Sequence, residues 1–460
     1  MTKFFYPALF LTLSMSCATK TEQPPSEYVP KPVQLVTLDP GHFHAALVQK
    51  TGYPEVDSTV YVYAPEGGDL KLHLDRVKAF NTRPESPTNW NEQVYTGTDF
   101  FEKMIAEKKG NVVVLSGNNK KKTEYILTSL KNQFNVLADK PMVIDSKGYQ
   151  ELKEAFEVAA ANKLLLYDIM TERFEITTML QRELSTLPKV FGTLEKGTLQ
   201  NPAITKESIH HFYKYVSGNV LTRPAWFLDA SQQGEGIVDV MTHLVDLVQW
   251  ECFPEQVIDT TEIKVNKAKR WATDMTLSQF KAITKLEAFP DYLRSNVSAD
   301  TLLKIYSNGE INYQVKGVHA KTSVIWKYQA PEGTGDTHYS IMRGSKANLV
   351  IRQDKDQQYK PTLYIEPVGK TKDANYEKTL NEQMKTIVTK YPGVELKSTK
   401  AGWEVVVPKK YEEGHEAHFG RVTEKFLEYL KNGNMPAWEV PNMIAKYYTT
   451  TQGLEVSLKK

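Results

Sequence analysis

The sequence predicts an α/β N-terminal Rossmann domain followed by an α+β C-terminal domain with a large open, mostly antiparallel sheet. Strand patterns alternate with helical patterns over residues 33–170, which is typical of a parallel sheet with helices on both faces. Residues 171–460 change to strand patterns with turn signals between them. A chain of 460 residues also has the length of two to three domains.

Short apolar or β-branched runs predict the strands of the first half, and helical spacing of apolar residues predicts its helices. In chain order they are strand Val33–Leu38, helix His42–Lys50, strand Thr59–Tyr63, helix Phe100–Lys108, strand Asn111–Leu115, helix Glu124–Asn132, strand Phe134–Ala138, helix Lys147–Asn162 and strand Leu164–Tyr167. Ligands of parallel sheets bind beyond the carboxyl ends of the strands. The predicted site loops are therefore Asp39–His44, Ala64–Asp69, Ser116–Lys122 and Asp139–Met142.

The second half contains β-rich runs of the kind found in antiparallel sheets. The predicted strands are Phe191–Leu199, Thr261–Val265, Leu302–Tyr306, Ile311–Gln314, Thr322–Gln329, Asn348–Arg352 and Thr362–Glu366. Asn308-Gly309 predicts a hairpin turn between two of them. Residues 370–410 add a charged helical stretch and a hairpin around Ala401-Gly402.

The N-terminus has the pattern of an export signal. Lys3 precedes the apolar stretch Phe4–Leu13, and small residues lead into Cys17. This resembles a bacterial lipoprotein signal over residues 1–17, in which Cys17 is acylated; the alternative is an ordinary signal peptide with an incidental cysteine. Residues 18–32 are polar and rich in proline, which predicts an extended tether. We expect an exported, membrane-anchored protein that faces the periplasm.

Composition excludes several other classes. The 57 basic and 55 acidic side chains leave a formal charge of +2, so no strong field attracts nucleic acid. Two cysteines cannot form a disulfide scaffold. After the first twenty positions no apolar run is long enough to cross a bilayer, so contact with a membrane is expected only through the lipid anchor.

The loop after the first strand carries part of a dinucleotide-binding pattern. In residues 39–44, Gly41 occupies the middle position of Gly-x-Gly-x-x-Gly, and Asp39 and His44 replace the outer glycines. The glycine would let the backbone approach a pyrophosphate at a helix N-terminus, with His42 or His44 as a donor. The alternative is a plain strand–helix turn. A His-x-His metal pair would need a third ligand, which the sequence does not indicate, so no metal is predicted.

Other candidate cofactor contacts follow the later strands. No acid stands at the tip of the second strand; Glu66 or Asp69 is close enough in sequence to serve the ribose. The choice between NAD and NADP therefore stays open. Ser116 and Asn118 follow the third predicted strand.

Two candidate catalytic groups come from separate segments. Lys140 precedes Pro141 after the fourth predicted strand, where its ammonium group could bond a substrate hydroxyl; the alternative is a solvated lysine. The polar residues of Gly236–Trp250 share one helical stripe: Asp239, Thr242, His243, Asp246 and Gln249. His243, with Asp239 one turn away, is suited to proton transfer near its unperturbed pKa of about 6.5; the alternative is an amphipathic surface helix.

Further residues leave their roles open. Arg173 would meet an anion or pair with a carboxylate, and Trp226 lies in an aromatic-rich loop that would stack on sugars or fill the core. His415 and His418 are spaced for a metal, although a solvated helix face is the preferred interpretation, and His210-His211 has no assigned role.

Together these motifs resemble the glucose–fructose oxidoreductase/inositol dehydrogenase (Gfo/Idh/MocA) family. Its Glu-Lys-Pro motif is similar to residues 139–141. Its glycine-led Asp-x-x-x-His-x-x-Asp signature is similar to residues Gly234, Gly236, Asp239, His243 and Asp246. The resemblance covers about residues 33–350 and the closing segment 447–458. The degraded glycine pattern, the missing acid and the addition at 370–410 depart from the family.

The resemblance implies an oxidoreductase that transfers hydride from a sugar or glycoside hydroxyl to NAD or NADP. His243 would remove the hydroxyl proton, Lys140 would bond the same oxygen, and Asp239 would orient the substrate or His243. Implied cofactor contacts are Asp39, Gly41, His42, His44, Glu66, Ser116, Asn118 and Lys140; implied substrate contacts are Arg173, Trp226 and Asp246. The family also suggests a homo-oligomer.

Export implies a tightly held cofactor, because free dinucleotide is scarce outside the cytoplasm. The first hypothesis is therefore oxidation of a sugar or glycoside hydroxyl to a ketone. The second is an NAD-dependent glycoside hydrolase that works by transient oxidation and elimination. The third is a non-catalytic sugar-binding lipoprotein.

Overall fold

The computed structural model describes Met1 and residues 32–216, 219–299, 301–369 and 373–459. The signal peptide, Cys17 and nearly all of the proline-rich tether lie outside the described residues, so the lipoprotein assignment stays a prediction. Within the described part of the chain, no helix combines the length and the apolar character needed to cross a membrane.

The N-terminal sheet has six strands, all paired in parallel. Its elements are β1 Leu35–Leu38, α1 His44–Leu47, β2 Thr59–Tyr63, α2 Gly68–Thr82, β3 Asn91–Tyr95, α3 Phe100–Glu107, β4 Val112–Leu115, α4 Lys122–Lys131, β5 Asn135–Asp139, α5 Ser146–Asn162 and β6 Leu166–Ile169. The strand order β3-β2-β1-β4-β5-β6 reverses between β1 and β4, which is the Rossmann order and places the ligand crevice beyond those two strands. The predicted Rossmann fold is confirmed.

The sequence did not predict two elements of this half of the chain, helix α2 and strand β3. Helix α2 buries only Leu70, His73 and Val77 among otherwise polar residues, so its apolar stripe is too sparse to recognise. Strand β3 (NEQVY) is an edge strand with no buried side chain. Edge strands need no apolar face, and their sequences lack the usual strand signal.

The second half forms a ten-stranded sheet with helices. Its elements are α6 Ile176–Ser185, β7 Ile204–Tyr213, β8 Tyr215–Val216, β9 Asn219–Val220, α7 Ala230–Gln233, α8 Met241–Cys252, β10 Ile263–Thr276, α9 Leu277–Thr284, β11 Val297–Ser298, β12 Leu302–Val315, β13 Val318–Gln329, β14 Thr337–Arg343, β15 Ala347–Gln353, β16 Thr362–Pro367, α10 Ala374–Lys390, β17 Glu395–Ser398, β18 Trp403–Val406, α11 His415–Asn432 and α12 Glu439–Leu458.

The second sheet is mostly antiparallel, as predicted, with the order β10-β12-β13-β7-β14-β15-β16-β18-β17, and β11 pairs with β12 as its tenth strand. Strands β8 and β9 pair with each other in a separate two-stranded sheet. Among the described strand pairs of this second sheet, only β7 and β13 pair in parallel. The predicted helical stretch and hairpin of residues 370–410 correspond to α10, β17 and β18, and β18 pairs with β16 so that the hairpin extends the sheet.

The predicted hairpin at Asn308-Gly309 is wrong, because β12 runs through these residues without a turn. The Asn308 side chain donates to the carbonyl of Trp271 and accepts from the backbone N–H of Trp326, so it is bonded to residues on both neighbouring strands. The turn lies instead at Lys316-Gly317, where both residues have positive φ (50° and 75°), as a tight hairpin requires.

Two other predictions from the second half also need correction. Phe191–Leu199 forms only isolated bridges at Leu194 and Gly197 instead of a strand, since Gly192 and Gly197 take positive φ. Helix α8 begins at Met241, so Asp239 precedes the helix and is not part of its polar stripe.

The last two helices join the two halves of the chain. Phe419 and Phe426 of α11 and Tyr447 of α12 belong to the apolar core of the N-terminal sheet, while Ala445 and Leu454 of α12 belong to the core of the second sheet. Residues 32–460 accordingly form one compact unit, and the domain boundary at residue 170 stays a prediction.

A buried network of charged residues fixes α8 between these elements. Arg173 binds Asp246 of α8 through two hydrogen bonds of 2.7 Å and contacts Glu439 of α12 at 3.0 Å. Lys446 of α12 bridges Asp246 at 2.8 Å and Asp168 of β6 at 2.6 Å. Because every group has an opposite charge as a partner, the network offsets much of the free-energy cost of burying it.

We expect the substitution Arg173→Leu to lower the free energy of unfolding by about 3–5 kcal/mol, because it leaves Asp246 and Glu439 buried with less neutralising charge. Arg352→Leu is the matched control: Arg352 pairs with Glu366 at the surface, and such pairs contribute at most about 1 kcal/mol. Urea denaturation of both variants measures the difference, and equal losses would contradict the assigned importance of the buried network.

Candidate active site

A cavity of about 700 Å³ lies beyond the carboxyl ends of β1, β4 and β5, where the strand order predicts a ligand site. The second sheet, the segment before α8 and helix α11 form its other walls. The polar residues that line it include His42, His44, Asp139, Lys140, Glu172, His210, Lys214, Asp239, His243, Asp336, His415 and His418. All three predicted catalytic residues, Lys140, Asp239 and His243, are thus brought together.

Lys140 and Asp239 form an ion pair at the cavity wall. Lys140 Nζ donates to Asp239 Oδ1 at 2.8 Å, and Gln233 Nε2 donates to Asp239 Oδ2 at 2.9 Å. Burial lowers the pKa of Lys140, but Asp239 and Asp139 outweigh burial and raise it above the ordinary value. Burial raises the pKa of Asp239, and Lys140 more than reverses this effect. Lys140 is therefore a cation and Asp239 an anion at neutral pH.

His243 lies in the first turn of α8 and faces this pair without bonding to it. The two oxygens of Asp239 are bonded to Lys140 and Gln233, and among the described residues Nδ1 of His243 has no hydrogen-bond partner. Burial and the charge of Lys140 lower the pKa of His243 to about 4. The prediction of a pKa near 6.5 is wrong, and His243 is a neutral imidazole, which is able to accept a proton.

The loop after β1 places both of its histidines against Asp139 at the end of β5. Nδ1 of His44 lies 2.9 Å from Asp139 Oδ2, and Nδ1 of His42 lies 3.3 Å from the same oxygen. Ser116 also donates to Asp139 Oδ2, at 3.0 Å. Asp39 begins the loop with φ of 47°. His44 occupies the position of the last glycine in the dinucleotide-binding pattern. A glycine there would leave open space, whereas His44 fills it with a side chain.

Gly41 tests whether this loop has room for a dinucleotide. A Cβ atom at Gly41 would lie 3.1 Å from both Asp69 Oδ2 and Trp226 Cζ2, so these two side chains cover the glycine. Trp226 Nε1 donates to Asp69 Oδ2 at 2.8 Å. The space between this loop and residues 221–227 has a volume of only about 20 Å³. The large cavity has room for a nicotinamide, whereas the path over Gly41 is closed.

The remaining predicted cofactor contacts occupy different positions. Asn118 Nδ2 donates to Gln232 Oε1 at 2.7 Å, at the closed end of the path. Glu66 is exposed beside the open N-terminus of α2.

Of the three predicted substrate contacts, none lines the large cavity. Arg173 and Asp246 are bonded to one another in the buried network. Trp226 covers Gly41 instead, bonded to Asp69. Asp246 matched a family signature, but a sequence pattern does not show that Arg173 and Lys446 have already occupied its oxygens.

Several cavity residues carried no clear sequence signal. His418 is 4% exposed, so the expectation of a solvated helix face is wrong for it; His415 is exposed on one side and lies 3.4 Å from Glu172. On the opposite wall, Asp336 contacts His210 and pairs with Lys214. Only the docking of α11 and the β7–β14 pairing bring these groups to the cavity.

Comparison with known proteins agrees with this fold. Residues 180–458 match the family described as "Putative oxidoreductase C terminal domain". The chain belongs to this oxidoreductase family. A crystal structure described as a "putative oxidoreductase" from Parabacteroides merdae is 58% identical, with 93% of this chain and 98% of that chain covered and a TM-score of 0.91.

More distant structures share the fold of this oxidoreductase. A "putative myo-inositol dehydrogenase" from Sinorhizobium meliloti is 13% identical over 92% of this chain and 97% of its own, with a TM-score of 0.52. The 3-ketoreductase KijD10 from Actinomadura kijaniata, in complex with NADP, is 12% identical over 90% and 95%, with a TM-score of 0.54. A comparison with curated proteins found no match.

We expect Lys140→Met to raise the pKa of His243 above about 4, because it removes the charge that opposes protonation. The pKa should stay below 6.5, since burial is the larger cause. Lys120→Met, at an exposed position on the neighbouring loop, is the control and should leave the pKa unchanged. Imidazole NMR during a pH titration measures both, and an unchanged pKa in Lys140→Met would contradict the assigned electrostatics.

Proposed function

We propose that this oxidoreductase uses NAD or NADP to oxidise a sugar or glycoside hydroxyl to a ketone. The observation that carries the proposal is the meeting of Lys140, Asp239 and neutral His243 in one cavity beside the Rossmann crevice. The fold does not need these polar groups for its stability, because apolar residues would fill the same space at a lower free-energy cost. This argues against the sugar-binding alternative.

The cofactor position follows from the strand order and the cavity. The nicotinamide end would lie in the large cavity, near His42, Gly117 and Lys140. The pyrophosphate would pass over Gly41, and the ribose and adenine would lie near Asp69 and the open N-terminus of α2. This position requires Trp226 to move away from Asp69. Structural neighbours in complex with NAD and with NADP support the choice of a nicotinamide.

Residues of this chain bind the substrate oxygen and accept its proton. The ammonium group of Lys140 donates a hydrogen bond to the substrate oxygen and stabilises negative charge that develops there. Neutral His243 accepts the hydroxyl proton. Asp239 keeps Lys140 charged and holds its Nζ in place. When bound, a nicotinamide supplies the hydride acceptor.

A polyol substrate matches the cavity walls. Trp326 and Phe227 offer apolar ring faces, and His210, Lys214 and Asp336 offer donors and acceptors. Sugars present both kinds of surface. Two structural neighbours, described as a "putative myo-inositol dehydrogenase" and a "3-ketoreductase", support this class.

Glycoside hydrolysis by transient oxidation is a second candidate, favoured by one observation. Glu172 and His415 form another acid–base pair on the same cavity wall. A ketone acidifies the neighbouring C–H, and such a pair could then assist elimination. Product analysis separates the candidates: oxidation yields a keto-sugar, whereas hydrolysis yields free sugar with no net change in cofactor.

The cellular setting completes the proposal. We propose an exported lipoprotein acylated at Cys17 and facing the periplasm, in which the cofactor stays bound between turnovers. Mass spectrometry of nucleotide released from the denatured protein tests the retention of the cofactor. A stoichiometric amount of NAD or NADP is expected, and an empty protein that also fails to bind added nucleotide would contradict it.

We expect His243→Ala to abolish detectable oxidation across a panel of aldoses and methyl glycosides while nucleotide binding is kept, because the variant lacks the proton acceptor. General-base removal typically costs about 10²–10⁴-fold in rate. His319→Ala is the control, since His319 lies on β13 and outside the cavity lining. Wild-type turnover in His243→Ala would overturn the assignment of the base.

We expect Trp226→Phe to bind NAD⁺ more tightly than wild type after bound nucleotide is removed. The variant loses the Nε1 bond that closes the path, and a bond of about 1 kcal/mol corresponds to roughly fivefold in apparent affinity. Trp250→Phe, a tryptophan that contacts Arg182 outside the cavity lining, is the control. Isothermal titration measures the affinities, and equal values would contradict the closing role of Trp226.

A further inference from the structure

We propose that His42, His44 and Asp139 bind a divalent transition-metal ion at the floor of the large cavity. The sequence suggested only a His-x-His pair without a third ligand, and the fold supplies that ligand from the end of β5. One potential ligand atom from each of the three residues lies within 4.8 Å of the others. Two imidazoles and a carboxylate are a donor set that zinc and ferrous iron share.

Two of the three distances between the ligand atoms are close to those that a metal ion would impose. Ligands about 2.0–2.1 Å from tetrahedral zinc lie about 3.3 Å from each other. Asp139 Oδ2 lies 3.3 Å from Nδ1 of His42 and 2.9 Å from Nδ1 of His44. Only small side-chain adjustments would therefore place an ion between the three groups.

The bonding of His42 is incomplete without an ion. Its Nδ1 is buried and, among the described residues, makes no hydrogen bond, although it lies close to Asp139. A buried polar atom without a partner destabilises the folded state.

Neighbouring residues hold Asp139 and His44 in place, as metal sites usually require of their ligands. Ser116 donates to the same oxygen of Asp139, at 3.0 Å. Lys122 Nζ donates to the backbone carbonyl of Asp139 at 3.0 Å. The ring of Phe419 packs against His44 with centroids 4.4 Å apart.

The site has three protein ligands and faces the cavity. Three protein ligands with a further open position are typical of catalytic rather than structural zinc. An oxygen of a polyol substrate, such as a hydroxyl or ketone, is the chemical class that would complete the coordination. The histidines that depart from the glycine pattern would then serve as metal ligands.

Metal binding is measured on the full chain without nucleotide or substrate, so its outcome is independent of the proposed dehydrogenase activity. After treatment with chelator, the protein is titrated with Co²⁺ by visible absorption and with Zn²⁺ by calorimetry. We expect one ion per chain. His42→Gln and His44→Gln should each weaken binding by at least about tenfold.

Two further measurements keep the test decisive. His319→Gln, outside the cavity lining, should bind as wild type does, and circular dichroism checks that each variant folds. If His44→Gln fails to fold, His42→Gln, at the more exposed of the two positions, carries the comparison. The proposal is overturned by an absence of saturable binding, or by affinities that are the same in wild type and His42→Gln.

Discussion

Asp246 lies one turn after His243 on α8 and is bound on both sides, by Arg173 and by Lys446. Through Lys446 and Asp168 the same network reaches β6 of the Rossmann sheet. The N-terminal sheet carries Lys140, and α8 carries His243. Their relative position therefore depends in part on this buried set of charges.

Within the cavity, electrostatics assign different protonation states to adjacent groups. Asp239 keeps Lys140 charged, while burial and the charge of Lys140 keep His243 neutral. A cation to bind an oxygen and a neutral base to take its proton are the two forms that oxidation of an alcohol needs at neutral pH. The family assignment to an oxidoreductase is consistent with this pairing.

The sequence predicted the elements that bury continuous apolar runs, and with them the Rossmann fold and the positions of Lys140 and His243. It did not predict β3 or the path of β12 through Asn308-Gly309, because edge exposure and side-chain bonds to neighbouring strands are set by tertiary pairing. A strong local turn signal was thus overridden by bonds that a sequence does not display.

The sequence also could not show which polar residues of the site are already bonded to distant residues. Arg173 and Asp246 carried suitable chemistry, but their partners Glu439 and Lys446 lie 266 and 200 residues further along the chain. Asp139 was visible only as part of a motif, and its contact with His42 and His44 required the closure of β1 against β4 and β5. Long-range contacts of this kind decide which polar residues remain free for ligands.

Transfer of deuterium from a sugar to the bound nucleotide is the most direct test of sugar oxidation by this protein. Protein loaded with NAD⁺ or NADP⁺ is incubated with a panel of perdeuterated aldoses and methyl glycosides, and the nucleotide is released and weighed by mass spectrometry. We expect a reduced nucleotide that carries one deuterium with at least one sugar, and no labelled nucleotide in His243→Ala. Absence of labelled reduced nucleotide across the panel, from protein shown to hold its cofactor, would contradict the assignment as a sugar oxidoreductase.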